Sequence, residues 1–171
     1  MSRAALLVLT LLTAPSLMDA GSAQAVQQGT PGGEWRAFSG SWSARGQRQV
    51  IPTEGNGSAA IVHLSGAVVL ARTELGGGLL GEAIAFDDGQ KQSVGRAVWT
   101  DARGDRVFSE LRGEPVATGR RVVGTITGGT GQYAGVTGDY ALTWQYVAQD
   151  TDDVIQGRSV DLQGRLRRTT R

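Results

Sequence analysis

An all-β fold, a single antiparallel eight-stranded β-barrel, is what this sequence predicts, and three observations carry the prediction. Apolar and polar residues alternate with a period of two through most of the chain beyond residue 33. The alternating runs are short, evenly spaced and bounded by glycine- and aspartate-rich turns, in a chain with 26 glycines among 171 residues. No window carries a helical period. Closure into a barrel is preferred to a sandwich because it removes the unpaired edges that an antiparallel sheet exposes. The absence of a fixed repeat argues against a propeller or solenoid.

In chain order, residues 1–25 read as a secretory signal peptide. Ser2 and Arg3 give a positive start, residues 4–12 are almost wholly apolar, and Ala23-Gln24-Ala25 is a small-x-small cleavage site. The apolar run is too short to span a bilayer. The expectation is an exported product, periplasmic or secreted, with no membrane span. Residues 26–33, polar with Pro31, read as a flexible N-terminal segment, and residues 34–171 as the barrel domain.

The first strand sets Trp35, Ala37, Ser39 and Ser41 against Arg36, Phe38 and Trp42, and Gly46 is expected to break it. Residues 59–72 alternate Ile61, His63, Ser65 and Val69 against Val62, Leu64 and Val68, with a bulge expected at Gly66. Residues 79–87 place Leu80, Glu82, Ile84 and Phe86 on one face and the small Gly81, Ala83 and Ala85 on the other. Asp87-Asp88-Gly89 is a turn signal, after which Val94, Arg96 and Val98 oppose Gly95, Ala97 and Trp99. Residues 107–112 and 121–127 follow as strands, then 139–147, where Tyr140, Leu142, Trp144 and Tyr146 share a face. Residues 154–167 complete the set.

Composition excludes several functions. With no cysteine, the fold must hold by packing and hydrogen bonds, and thiolate chemistry is ruled out. A formal net charge of +1 gives no reason to expect a nucleic acid partner. The basic tail, residues 165–171, reads as a solvated terminus or a contact to an anionic surface. One histidine and no metal-ligand spacing predict neither a metal nor a cofactor.

Residues 121–127 and 139–147 are joined by a hinge holding Gly128, Gly129, Gly131, Gly135 and Gly138, too many glycines for a helix and suited to a sharp turn. It lacks the Lys-Ser/Thr ending of a phosphate-binding loop. Gly128-Gly129-Thr130-Gly131, then Tyr133, then Gly138 resembles the conserved hairpin of the dirigent and allene oxide cyclase barrel superfamily. The chain looks more like a bacterial relative of that superfamily than like either plant enzyme. The resemblance implies an eight-stranded antiparallel barrel, often trimeric, whose interior holds a hydrophobic ligand. Allene oxide cyclases close a fatty-acid epoxide and dirigent proteins steer phenoxy-radical coupling; no catalytic residue of theirs maps onto this chain.

The alternation itself flags Glu82 and Arg96, each beside apolar neighbours on its strand face. Buried charges must pair, so if both point inward they should meet and could orient a ligand; the alternative is that both face solvent. Glu82, Glu110 and His63 are the candidates for acid–base chemistry, with a solvated outer face for Glu110 and a core or rim position for His63 as the competing readings. Tyr140, Trp144 and Tyr146 form an aromatic stripe, either packed core or the wall of a ligand cavity. Three functions remain open: a barrel binding a small, largely apolar ligand without turnover, a cyclase or isomerase of the allene oxide cyclase kind, and a structural or interaction barrel that acts through its surface.

Overall fold

Period-two alternation produces strands that each pair with their sequence neighbours. The computed structural model describes residues 33–71, 73, 75–89, 92–149 and 153–169. The strands are β1 (Arg36–Pro52), β2 (Ser58–Ala71), β3 (Gly78–Asp87), β4 (Ser93–Thr100), β5 (Arg106–Val116), β6 (Gly119–Gly129), β7 (Val136–Gln149) and β8 (Val154–Arg168). All pairings are antiparallel, and β8 returns to β1, closing an eight-stranded barrel. The expected signal peptide, residues 1–25, and residues 26–32 lie outside the described residues.

The inward face of each strand is the one that received small residues or rings. On β3 the inward set is Leu79, Gly81, Ala83 and Ala85, while Leu80, Ile84 and Phe86 point outward and are about half exposed. The reason is volume. Trp42, Trp99, Tyr140 and Trp144 come from other strands and occupy the barrel axis, so the walls facing them must be small. The rings form a column in which Trp99 and Tyr140 lie 4.8 Å apart between centroids, Trp42 and Trp144 5.0 Å apart, and Phe38 meets Trp99 edge-on at 6.3 Å.

Two expectations about strand irregularity are corrected. Gly46 does not break β1, which runs on to Pro52. A side chain at Gly46 would strike the His63 carbonyl, so this glycine permits close strand approach inside an unbroken ladder. Gly66 sits in continuous register with both β1 and β3. The bulges fall elsewhere: between Gly40 and Ser43 of β1, between Phe108 and Ser109 in the β5–β6 pairing, and twice between β7 and β8. At the first of these, the Trp42 backbone N–H donates to Ser159 Oγ at 2.6 Å, so the slipped ladder leaves no orphan there.

Candidate functional site

The two ends of the barrel differ, and the hinge explains one of them. Gly128 and Gly129 end β6, Gly131 to Tyr133 form one 3₁₀ turn, and Gly138 lies inside β7 rather than ahead of it. Gly131 takes φ +50°, and a Cβ there would fall 1.8 Å from Asp105 Oδ1, so only glycine fits. The turn drives Tyr133 into the barrel end, where it is fully buried beside Leu75, Val107 and Val136. Its hydroxyl lies 2.7 Å from the Leu75 carbonyl and 3.1 Å from Asp101 Oδ2, and accepts from Gln132 Nε2 at 3.1 Å. Burial, with the neighbouring Asp101 carboxylate adding to it, pushes the phenol up to about 12. Partial shielding raises the Asp101 carboxyl, but bonds from the Arg103 and Asp105 N–H groups, Gln132 and Tyr133 outweigh that and hold it below its ordinary value. This end is a plug.

The opposite end is a cup. Above the Trp42–Trp144 pair the axis opens into a cavity of about 70 Å³, walled by Val62, Leu64, Ala83, Leu111, Val122 and Leu142. Its rim is polar. Arg120 of β6 reaches the Asp87 carboxylate at the end of β3, and its Nη1 lies 3.4 Å from Ser93 Oγ. The pair is mostly buried, with side-chain exposures of 20% for Arg120 and 15% for Asp87. Tyr146 stands at the mouth, half exposed, edge-on to Trp144 at 6.4 Å. Burial raises its phenol; Arg120 and Arg48 oppose the rise and Asp87 adds to it.

Two donors in the packed interior go unanswered. The Nε1–H groups of Trp42 and Trp144 are buried without an acceptor among the described residues. A buried donor left unpaired costs about 1–3 kcal/mol, and the Trp42 Nε1 lies toward Gly81 of β3, which does not line the cup.

Of the site residues read from sequence, Tyr140, Trp144 and Tyr146 lie on one inward face of β7. Trp144 and Tyr146 line the cup, whereas Tyr140 packs below it against Trp99. Burial pushes the Tyr140 phenol up to about 12, partly offset by its hydrogen bond with Ser109. Of the two placements open for Glu82 and Arg96, the structure has the outward one, so they form no inward ligand-orienting pair: both stand on the outer face, because the small residues of β3 and β4 are the ones that turn inward. Arg96 pairs instead with Glu110, Nη2 to Oε1 at 3.0 Å, on an exposed surface. His63 is also outside, opposite Ile84. Of Asp87, Ser93 and Arg120, which polarise the cup, only Asp87 was read from the sequence, as a turn residue, and Ser93 and Arg120 were missed. Their signal was parity, since each shares a face with the small inward residues of its strand.

Among the described residues no cluster of three or more histidine, cysteine or acidic side chains is placed to hold a metal, and no helix is long and apolar enough to cross a membrane. No family model and no curated protein matches the chain. Among solved structures it is similar to that of the pterocarpan synthase dirigent protein GePTS1, at a TM-score of 0.47 and 11% sequence identity, over 81% of this chain and 93% of that one. The barrel itself stands on the strand pairing above.

Proposed function

We propose that this protein binds a small, largely apolar ligand in the cup, without turning it over. The supporting observation is an apolar recess with a shielded Arg120–Asp87 pair at its rim. The axis below the cup is filled by Phe38, Trp99 and Tyr140, which narrows the binding region to one end of the barrel. At about 70 Å³ the cup is far smaller than a pocket of roughly 300–1,000 Å³ that encloses a whole drug-sized ligand. It takes the head of the ligand and leaves the rest at the mouth beside Tyr146.

The cyclase reading loses the charged residues expected to serve it, since Glu82, Glu110 and His63 all lie outside. The start of the sequence supports an exported, periplasmic or secreted protein, and the hinge resemblance supports a homo-oligomer, a trimer by analogy. An outer apolar face on β2 to β4 favours the third reading, action through the surface, alongside ligand binding.

The test is native mass spectrometry of the protein recovered without denaturation from its own cells, paired with titration of a naphthalene-based fluorescent probe. The expected result is a solvent-extractable adduct of a few hundred daltons, and probe binding that Ala85→Phe at the cup wall abolishes. A bare mass together with probe binding that Ala85→Phe leaves unchanged would overturn the proposal.

A further inference from the structure

Resting on the export reading above, we propose that Asn56, at the tip of the β1–β2 hairpin, is an acceptor for an N-linked glycan. It is the one asparagine in the chain, and it stands in Glu54-Gly55-Asn56-Gly57-Ser58. Asn-x-Ser, with x other than proline, is the acceptor pattern for sugar transfer to an asparagine carboxamide, and the context that confirms it is a surface loop of an exported chain. Glu54 adds an acidic residue two places ahead, which completes the match to the longer acceptor sequence of bacterial glycoproteins.

The structure supplies the loop. The last strand pair of the hairpin is Pro52 with Ser58, and residues 53–57 beyond it are all exposed. The hairpin stands at the cup end of the barrel, where Ala60 of β2 pairs with Asp87. The turn alone does not account for the asparagine. Asn56 takes φ +64°, a conformation that glycine reaches at no steric cost, and glycine stands on either side of it. Turn asparagines bond the backbone two residues on, but among the described residues the Asn56 side chain bonds nothing. Its carboxamide is therefore free to react. In the transfer, Asn56 Nδ2 bonds to the anomeric carbon of a lipid-diphosphate-linked oligosaccharide, and that carbon's bond to the diphosphate oxygen breaks. The lipid diphosphate leaves, and one carboxamide proton passes to a base of the transferase. The Ser58 hydroxyl, at the half-buried first position of β2, is the second group that the transferase reads.

The test is mass spectrometry of the intact protein and of its proteolytic peptides, recovered from its own cells as the full-length wild type and three variants, with circular dichroism to show that each is folded. The expected result is a chain without its leader whose peptide containing Asn56 is heavier by whole sugar residues. Asn56→Gln and Ser58→Ala should each abolish the increment, and Ser58→Thr should keep it, because threonine retains the hydroxyl of the acceptor pattern. A chain that has lost its leader and carries an unmodified Asn56 would overturn the site and leave the export reading standing. A chain that keeps its leader would overturn both. An increment that survives Ser58→Ala would also overturn the site, since it would not depend on the acceptor pattern.

Discussion

The ring of Tyr140 occupies the place that a side chain at Gly124 would take: a Cβ there would fall 2.1 Å from Tyr140 Cζ. The two residues face each other across the β6–β7 pairing, and Tyr140 is 3% exposed. Gly124→Ala therefore forces the ring out of its stack on Trp99. Overpacking of this kind costs about 1–3 kcal/mol. Urea denaturation should show the midpoint falling with the slope unchanged, and wild-type stability would mean the ring has room that the structure does not give it.

Tyr133 at the plug yields a second prediction. Tyr133→Phe keeps the ring and removes the hydroxyl shared between the Leu75 carbonyl and Asp101. A loss of about 1–3 kcal/mol follows from leaving those acceptors underserved. Asp101→Asn should be less than additive with it in a double-mutant cycle, since both changes act on one network. Full additivity would mean that Tyr133 and Asp101 do not support one another.

The contrast between these residues and the cup shows what the sequence could carry. Strand number and turns were legible because alternation and glycine punctuation are local signals, and the hinge from Gly128 to Gly138 was legible for the same reason. Which face points inward was not. On β3 the larger apolar set, Leu80, Ile84 and Phe86, looks like a core, and only the closed barrel shows that rings from β1, β4 and β7 already fill the axis. Arg120 and Asp87 are 33 residues apart on strands that are not neighbours, and no spacing rule joins them. Sequence parity placed Tyr140, Trp144 and Tyr146 on one face, yet could not separate Tyr140 in the packed column from Trp144 in the cup.

The cup rim gives a third prediction. Asp87→Ala leaves the Arg120 guanidinium mostly buried with Ser93 as its remaining partner. Breaking a buried pair from one side costs about 3–5 kcal/mol, and the residual exposure of both groups places this one at the lower end. Replacing both, as Asp87→Leu with Arg120→Met, should recover much of that loss, because no lone charge remains. Chemical denaturation of the three variants decides it: a double variant as unstable as Asp87→Ala would show that the pair contributes more than mutual neutralisation.

High pH probes the plug and the ring column together. Tyr133 and Tyr140 are each raised from 10.0 to about 12 in the fold. A folded value above the unfolded one means that the native state holds these protons more tightly. The resulting stability is complete below about pH 10 and is lost as the pH rises from about 10 to about 12. Thermal melting should therefore fall steeply across that window, and Tyr140→Phe should flatten the fall, because a phenylalanine there has no proton to lose. Phenol absorbance measured alongside should show these groups ionising as the barrel unfolds. If Tyr140→Phe melts with the wild-type pH profile, burial of the Tyr140 phenol is not what makes the barrel sensitive to alkali.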